Sequence, residues 1–363
     1  MQGADAAVVR RALERHDPLP GGRGFAGVLD GRLVRDVLGR YPLFSEPDDP
    51  TEWSPDPTDL SDPRRLPAGH VRNADADADA DGDGDTRVWS LPDPEPSGDA
   101  DRAVAAVRTA IVEAVDAVDG APAVAFSGGV DSAILAARTE GPLYVGGFPE
   151  SHDVEAARSA ADALGRDLTV VEFTHADLER AVPELVAATG RSNPMDVGVA
   201  LPLYLVAERV AADGHDRLAV GQGADELFGG YAKVAAPADD DRLEADTVRG
   251  ATREVICELP AGLERDVLTL RAAGVEPVAP LLDDRVVAAA RRLPADLLVD
   301  GDERKVALRR AADFLPAAVR TRDKKAVQYG SLVARELDRL ARQAGFKRRM
   351  DDHVGRYIDS LAE

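Results

Sequence analysis

The sequence predicts an α/β protein, built on a doubly wound parallel sheet with a helical C-terminal extension and a small β-rich N-terminal segment. From residue 99 onward, short apolar runs alternate with amphipathic helical patterns. Strands that alternate with helices form a parallel sheet that is covered on both faces. After about residue 240 helical patterns dominate, whereas before residue 99 strand and turn patterns dominate.

Each element of the predicted sheet can be placed on the chain from its apolar pattern. Strands are predicted at residues 123–126, 143–148, 168–173 and 217–223. Helices are predicted at residues 102–118, 132–140, 153–165, 175–189, 201–214, 283–294, 303–316 and 331–345.

The first 98 residues have a different pattern. A short helix is predicted over residues 4–15, and residues 25–46 contain short apolar runs broken by Asp-Gly and Gly-Arg turns, which is typical of strands and hairpins. We therefore predict an N-terminal segment over residues 1–98 and a second domain over residues 99–363.

An alternating run of aspartates lies at residues 74–86 and suggests a calcium loop. A loop that starts at Asp77 has Val88 at its twelfth position, where calcium needs a bidentate glutamate. A loop that starts at Asp79 ends at Ser90 and fails for the same reason. The run is therefore interpreted as a solvated acidic linker.

The charge balance narrows the class of protein. The net charge is −22, and the sequence has only 5 Lys against 39 Arg. A protein that binds nucleic acid broadly needs a basic surface, so no nucleic-acid partner is expected. An acidic surface with few lysines is typical of adaptation to high salt, where concentrated ions screen the self-repulsion.

A single cysteine, Cys257, excludes a disulfide within this sequence and a cysteine zinc cluster, and we expect it to be a small buried hydrophobe. The N-terminal residues lack an apolar signal core, and the sequence has no run of about 18 apolar residues. These features predict a cytoplasmic protein without a membrane segment.

The stretch AVAFSGGVDSAIL, residues 123–135, places glycines, serines and an aspartate between a buried strand and a helix. Ligands of open parallel sheets bind at the carboxyl ends of the strands. Without side-chain bulk, backbone N–H groups can close around an anion there, and the helix adds its positive end. Asp131 would repel a phosphate unless a magnesium ion lay between them. The predicted phosphate site consists of Ser127, Gly128, Gly129, Asp131 and Ser132.

A second motif, GQGADELFGGY at residues 221–231, follows another predicted strand and so falls at the same edge of the sheet. It places Asp225 and Glu226 side by side. Two carboxylates near a phosphate site are a suitable shell for magnesium, which prefers oxygen ligands.

These motifs resemble those of a known family. SGGVDS is similar to the pyrophosphate loop of the ATP pyrophosphatases, and GQGADELFGGY resembles the G-E-G-A-D-E-L-F-G-G-Y signature of the asparagine synthetase family. Residues 279–283 resemble its V-P-F-L-D segment, and Lys305, Leu308 and Arg309 its K-x-x-L-R segment. Arg322, Lys324 and Gly330 match its R-x-K motif and the glycine six residues after the lysine.

The resemblance implies the fold of the adenine nucleotide alpha hydrolases and cleavage of ATP between its α and β phosphates. A carboxylate substrate would be adenylated, pyrophosphate released, and an amine or ammonia would attack to form an amide. ATP and Mg²⁺ are the implied cofactors.

The resemblance also assigns residues to roles. Asp131 and Asp225 would hold magnesium, and Lys324, at the family's catalytic lysine position, would stabilise the transition state. Gln222 stands where the family usually has Glu; an amide can orient a nucleophile but cannot deprotonate it. Gln222 and Glu226 are the other candidate catalytic residues. The adenylate would be cradled by Val145, Gly146, Gly221 and Gly223.

The N-terminal segment resembles part of the family's glutaminase domain, at residues 27–46 and 66–70. That domain begins with a nucleophilic cysteine after removal of Met, and here position 2 is Gln2. About half of the glutaminase domain's length is also missing. We therefore expect no glutamine hydrolysis by that mechanism. The amine would be free ammonia, ammonia from a separate glutaminase, or a different amine.

Three functions remain open from the sequence. Asparagine synthesis from aspartate and ammonia is the leading one. An amide ligase for another carboxylate, in tRNA or cofactor modification, is favoured by Gln222 and by the missing glutaminase residues. A non-catalytic ATP-binding regulatory subunit is the third, although Asp131, Asp225 and Lys324 are all present.

Overall fold

The computed structural model describes residues 1–73, 84–322, 326–349 and 351–363. The chain forms two compact units. Unit 1 comprises Met1–Ala117, Gln222–Glu264 and Ala279–Ala312. Unit 2 comprises Val118–Gly221, Arg265–Val278 and Asp313–Glu363. The boundary predicted at residue 98 lies within unit 1, and the division into 1–98 and 99–363 stays a prediction.

Short strands are found in both units. The strands are, in chain order, β1 (Gln2–Gly3), β2 (Phe25–Leu29), β3 (Arg32–Arg35), β4 (Phe44–Ser45), β5 (Trp53–Ser54), β6 (Arg64–Arg65), β7 (His70–Asn73), β8 (Asp85–Arg87), β9 (Ala123–Ala125), β10 (Leu143–Gly147), β11 (Leu168–Glu172), β12 (Arg217–Ala219), β13 (Glu276–Val278), β14 (Val299–Asp300) and β15 (Glu303–Arg304).

Helices predominate in the C-terminal half of the chain. They are α1 (Ala6–Arg15), α2 (Ala100–Asp116), α3 (Val130–Arg138), α4 (His152–Leu164), α5 (His175–Thr189), α6 (Pro194–Ala212), α7 (Ala224–Leu227), α8 (Ala232–Ala235), α9 (Val248–Ala272), α10 (Asp284–Ala290), α11 (Ala295–Leu298), α12 (Val306–Ala311), α13 (Ala317–Arg320), α14 (Val327–Gly330), α15 (Val333–Gln343) and α16 (His353–Ala362).

A five-stranded parallel sheet forms the centre of unit 2, in the order β11-β10-β9-β12-β13. The first strand in the chain, β9, lies in the middle. The chain winds outward through β10 and β11, then returns to the other side of β9 with β12 and β13. This reversal confirms the predicted doubly wound sheet. In such sheets ligands bind outside the carboxyl ends of the strands where the winding reverses, which here is between β9 and β12.

Two elements of unit 2 differ from the prediction. The helix α6 begins at Pro194 rather than at the predicted Leu201, because Asn193 caps it by accepting a hydrogen bond from the Asp196 N–H and Pro194 stands at its first position. The edge strand β13 was not predicted. It has three residues, one of them Pro277, and proline within a short run is tolerated only at a sheet edge.

The N-terminal part of unit 1 is β-rich, as predicted. An antiparallel sheet has the order β1-β2-β3-β7-β8, and a smaller sheet has the order β5-β4-β6. The helix α1 packs on the first sheet through Val9, which joins Phe25, Val34 and Trp89 in one buried cluster. Most of the predicted acidic linker, with the rejected calcium loop, lies outside the described residues, and its last part contributes to β8.

The prediction for Cys257 was wrong, because its side chain is exposed. Buried residues of α9 within unit 1 recur at helical spacing, at Val255, Ile256, Leu259 and Leu263. Cys257 lies outside this stripe, since only positions three or four apart share a helix face. None of the helices in the described ranges combines the length and the apolar character that a membrane crossing would require.

A buried carboxylate links the N-terminal strands of unit 1 to α9. Glu264 accepts two hydrogen bonds of 2.6 Å from the Arg65 guanidinium and lies 3.6 Å from that of Arg35. The Arg35 side chain is fully buried, and it also donates to the carbonyls of Gly39 and Leu66. Burial lowers the pKa of Arg35. Glu264 therefore compensates charge that the core of unit 1 could not hold alone.

Replacing Glu264 with glutamine should lower the free energy of unfolding by roughly 3–5 kcal/mol, because it leaves a buried guanidinium without its carboxylate. Urea denaturation followed by circular dichroism measures the change. The control is Glu258→Gln, an exposed glutamate of the same helix paired with Lys233, for which a loss of under about 1 kcal/mol is expected. Equal losses of unfolding free energy in both variants would contradict the role of Glu264 as the partner of the buried arginine.

A second carboxylate, Asp338 of α15, holds the C-terminal helices of unit 2 together. It pairs with Arg348 at 2.8 Å, with His353 of α16 at 2.8 Å and with Arg342 at 3.0 Å. The hydrogen bond from Arg348 is the main cause that lowers the pKa of Asp338 from its ordinary value.

Asp338→Asn should therefore destabilise unit 2 at neutral pH, by on the order of 1 kcal/mol for this partly exposed group. A carboxyl group with a lowered pKa contributes stability that is fully present above its ordinary pKa of about 3.8; this contribution begins to fall below that pH and is lost as the pH passes through the lowered pKa of the folded state. The difference between wild type and variant should thus shrink on acidification. Thermal unfolding from pH 3 to pH 7 checks this, with Asp359→Asn on α16 as the control; a difference that does not change with pH would refute it.

Candidate functional site

The SGGVDS loop connects the central strand β9 to α3 at the carboxyl edge of the sheet in unit 2. Its turn depends on Gly128, whose φ is +73°, a region that L side chains rarely adopt. A Cβ atom on Gly128 would lie 2.5 Å from the carbonyl oxygen of Ala156 in α4. Only glycine allows the loop to approach α4 this closely.

The side chain of Ser132 holds the loop closed. The Ser127 N–H donates to the Ser132 hydroxyl at 3.2 Å, and that hydroxyl donates to the carbonyl of Gly129 at 3.2 Å. The Ser127 and Ser132 hydroxyl oxygens are 3.3 Å apart. Ser132 is buried, so the loop is fixed from within, by its own residues.

Three successive backbone N–H groups of the loop have no acceptor in the described part of the chain: those of Gly128, Gly129 and Val130. They stand at the start of α3, where helix N–H groups and the helix dipole favour an anion. The geometry therefore provides the donors that a phosphate group requires.

The end of the neighbouring strand β12 comes close to this loop. A Cβ atom on Gly221 would lie 2.9 Å from the Cβ atom of Asp131 and 3.3 Å from the N atom of Ser132. The structure therefore brings Gly221 and the predicted metal ligand Asp131 together at the switch point of the sheet.

The two predicted adenylate residues on β10, Val145 and Gly146, are buried. A Cβ atom on Gly146 would lie 2.3 Å from the ring of Phe173 and 2.6 Å from a methyl group of Val206. Packing therefore explains the glycine at this position. The role of both residues toward a nucleotide stays a prediction.

A cavity of about 460 Å³ opens at the carboxyl ends of β10 and β11, on the same edge of the sheet as the loop. Its wall combines apolar side chains with charged ones; the lining includes Phe148, Glu150, Val154, Arg158, Val170 and Glu172. The sequence analysis did not identify this cavity, because its lining depends on how the consecutive elements β10, α4 and β11 pack together.

The second motif lies in unit 1 and forms the short helix α7. Gly223 precedes it with a φ of +89°, and its Cβ would lie 2.4 Å from the side chain of Leu282. Asp225 pairs with Lys305 at 2.9 Å, and the side chain of Lys305 is only 10% exposed. A Cβ atom on Gly230 would lie 2.0 Å from the Asp225 carboxylate, so this glycine of the motif leaves room for the pair.

The neighbouring carboxylate, Glu226, accepts a hydrogen bond of 2.6 Å from the Tyr231 hydroxyl. Burial, and next the charge of Asp225, raise the pKa of Glu226 from its ordinary value. Gln222 is half-buried and directly precedes Gly223. Two carboxylates with different partners thus stand side by side on α7.

The predicted site residues are divided between the units. The five loop residues with Val145, Gly146 and Gly221 belong to unit 2, whereas Gln222, Gly223, Asp225 and Glu226 belong to unit 1. Lys324 lies outside the described residues. Joint binding of one metal ion by Asp131 and Asp225, and the catalytic role of Lys324, stay predictions.

The donor chemistry of the two predicted metal ligands fits magnesium. Both offer carboxylate oxygens, and this ion is commonly held by one or two carboxylates together with substrate phosphates. The side chain of Asp225 remains 43% exposed beside Lys305. Over residues 1–73, 84–322, 326–349 and 351–363, no group of three or more His, Cys, Asp or Glu residues could hold a metal ion.

Lys305 is the residue whose contact the sequence analysis missed. Its segment resembled a family motif, but its partner Asp225 is 80 positions away in the sequence. It adopts a left-handed backbone with a φ of +59°, which is uncommon for a residue with a side chain. The sequence signal that could have pointed to Lys305 was the scarcity of lysine in this chain.

The fold and the SGGVDS loop define an α/β protein of the ATP pyrophosphatase class, also called the PP-loop class after its pyrophosphate loop. The sequence model of asparagine synthase matches residues 106–268 and 258–360. The chain belongs to the asparagine synthase family.

Three curated relatives illustrate the similarity. "Putative asparagine synthetase 1, glutamine-hydrolyzing" of Methanocaldococcus jannaschii is 27% identical over 70% of this chain and 53% of its own length. Asparagine synthetase B of Escherichia coli, also named glutamine-hydrolyzing, is 27% identical over 56% of this chain and 40% of its own length. Asparagine synthetase 3 of Arabidopsis thaliana, likewise so named, is 24% identical over 79% of this chain and 54% of its own length. The chain therefore spans about half or less of these relatives.

Replacing Gly128 with alanine should destabilise unit 2 and weaken ATP binding. The left-handed backbone costs an alanine about 1–2 kcal/mol, and the clash with the Ala156 carbonyl should add roughly 1–3 kcal/mol. Thermal unfolding and titration calorimetry with ATP measure the two effects.

The matched control is Gly165→Ala at the C-terminal end of α4. Gly165 has a φ of +65° and no heavy atom within 4 Å of its Cβ position, so only the backbone cost applies. If Gly128→Ala behaves like this control in both measurements, the close approach of the loop to α4 does not hold.

Proposed function

We propose that the chain carries an ATP-dependent amide-forming activity. A carboxylate attacks the α phosphorus of ATP, which forms an acyl-adenylate and releases pyrophosphate. An amine or ammonia then attacks the acyl carbon, which gives the amide and AMP. Aspartate and ammonia, giving asparagine, are the leading substrates, in keeping with the names of the relatives.

The observation that carries the proposal is the set of three N–H groups at Gly128, Gly129 and Val130, which have no acceptor among the described residues. They lie where a doubly wound sheet binds its ligands. A pyrophosphate group needs several donors in one small volume, and the start of α3 provides them. The hydroxyl of Ser127 lies in the same loop and can add to this set, whereas the hydroxyl of Ser132 donates to the carbonyl of Gly129.

Magnesium, when bound, would be held by Asp131 and Asp225 and would neutralise charge on the phosphates. Gly221 leaves space for Asp131 at the end of β12. Lys305 fixes the Asp225 carboxylate and adds a positive charge to its surroundings. The metal role of both aspartates rests on the family resemblance and on their carboxylate oxygens, which are ligands that magnesium prefers.

The remaining roles rest on the family resemblance. Lys324 would stabilise negative charge on the phosphorus and then on the tetrahedral carbon. The amide of Gln222 would orient the nucleophile without taking its proton. Glu226, with its raised pKa, is the nearby acid or base candidate.

The source of the amine is part of the proposal. The sequence has one cysteine, and it lies on α9, within the part of the chain that matches asparagine synthase. We propose that ammonia comes from solution or from a separate glutaminase. Gln222 favours a second candidate function, amide formation on a carboxylate other than aspartate, because the residue that orients the nucleophile differs from the usual family Glu.

Substrate-dependent exchange of labelled pyrophosphate into ATP, across a panel of carboxylic acids, tests the proposal. Exchange with aspartate is the expected result. Exchange with another acid alone would replace asparagine synthesis by the second candidate. ATP binding without exchange or AMP for any acid would reject the enzyme and favour a regulatory ATP-binding role.

Asp131→Asn should lower the exchange rate on the order of 100-fold or more, because it removes a carboxylate that would hold the metal ion, and the metal would neutralise charge on the phosphates. Asp167→Asn, an exposed aspartate of the same unit, is the control and should leave the rate unchanged. Undiminished exchange in Asp131→Asn would remove that residue from the metal site.

A further inference from the structure

We propose that Arg322 is a positioning residue for the adenylation reaction. Its guanidinium fastens the chain after α13 to the peptide group of α4 against which the SGGVDS loop packs. The inference rests on the proposed function, since it concerns how the loop and the chain around Lys324 are held for the same reaction. The resemblance to the family identified Arg322 only as part of a motif.

The contacts meet at the carbonyl oxygen of Ala156. A Cβ on Gly128 would lie 2.5 Å from this oxygen and 2.8 Å from the following backbone nitrogen, so the loop rests directly on the peptide. One Nη atom of Arg322 donates to the same oxygen. The other donates to the hydroxyl of Ser159, one turn further along α4, at 2.9 Å.

The chain on the other side of residues 323–325 is also tied to α4 and its entry loop. A Cβ on Gly330 would lie 2.1 Å from the carboxylate of Asp153, in the first turn of α4. The Phe148 N–H donates to the carbonyl of Ser331 at 3.1 Å. Described residues on both sides of the R-x-K motif are thus placed by the same helix that places the pyrophosphate loop.

A shared helix matters because catalytic groups must be held within a fraction of an ångström, and a misplacement of about 1 Å can cost on the order of 100-fold in rate. The planar guanidinium of Arg322 binds two acceptors at once, which a lysine ammonium on a flexible stem does not reproduce. Arg322 therefore acts through the position of the loop and of the described residues that flank residues 323–325, and not on the reacting atoms themselves.

The test compares Arg322→Met and Arg322→Lys with a matched control, Arg166→Met. Arg166 also donates to backbone carbonyls of unit 2, including those of Thr139 at 2.7 Å and Gly141 at 2.6 Å, but these lie before β10, at the opposite edge of the sheet. The wild type and the three variants are assayed by pyrophosphate exchange, with the apparent KM for ATP and the thermal midpoint measured alongside.

Arg322→Met should lower kcat by roughly 10- to 100-fold while the KM for ATP changes less than about threefold. Arg322→Lys should recover part of kcat, and Arg166→Met should lower the thermal midpoint without lowering kcat. If Arg322→Met keeps wild-type kcat, or loses no more of it than Arg166→Met does, the positioning role is wrong.

Hydrogen exchange separates this inference from the proposed function. Backbone amides of residues 128–130 and 326–331 should exchange faster in Arg322→Met than in wild type, at least about fivefold, and should not change in Arg166→Met. This holds even if no acid supports pyrophosphate exchange, an outcome that would reject the proposed reaction alone. Unchanged exchange in both segments would overturn the coupling through α4.

Discussion

The candidate site depends on the close approach of the SGGVDS loop to the backbone of α4. Gly128 has a left-handed backbone conformation, and a side chain on it would clash with the carbonyl oxygen of Ala156. In this turn the N–H groups of Gly128, Gly129 and Val130 have no acceptor in the described part of the chain. The buried Ser132 hydroxyl holds this turn, because it accepts from the Ser127 N–H and donates to the carbonyl of Gly129. The same turn sets the start of α3 and so the place of Asp131 beside Gly221. The donors of the proposed anion site therefore belong to the backbone of this turn.

Arginine side chains form several of the buried ion pairs in the rest of the structure. The sequence has 39 Arg and 5 Lys, and several arginines are buried and paired: Arg35 near Glu264, Arg40 with Asp284, and Arg72 with Asp85. A guanidinium offers five donors in a fixed plane and can satisfy a carboxylate and carbonyls together, which an ammonium group does less well. These contacts explain part of the bias toward arginine by local geometry. Adaptation to high salt, the explanation that composition suggested, stays a prediction.

The parts of the fold that were predicted are those with a local signal. The loop was predicted because a buried strand, a glycine turn and a helix follow each other within residues 123–135, and the sheet because strands and helices alternate with clear periods. The strand β13 was missed because three residues with a proline carry no pattern, and its pairing with β12 joins distant positions. Among the site residues, the pairing of Asp225 with Lys305 and the packing of Gly146 on Phe173 could not be predicted from the sequence either. A sequence motif identifies chemical groups, whereas their partners depend on tertiary contacts.

The central claim is that the SGGVDS loop holds the β and γ phosphates of ATP with Asp131 at the metal. A crystal structure with a non-cleavable α,β-methylene analogue of ATP and manganese, located by its anomalous scattering, tests it most directly. The account predicts phosphate oxygens within hydrogen-bonding distance of the N–H groups of Gly128, Gly129 and Val130, and manganese bound by Asp131 and Asp225. A nucleotide bound elsewhere, or manganese without Asp131 among its ligands, would contradict it.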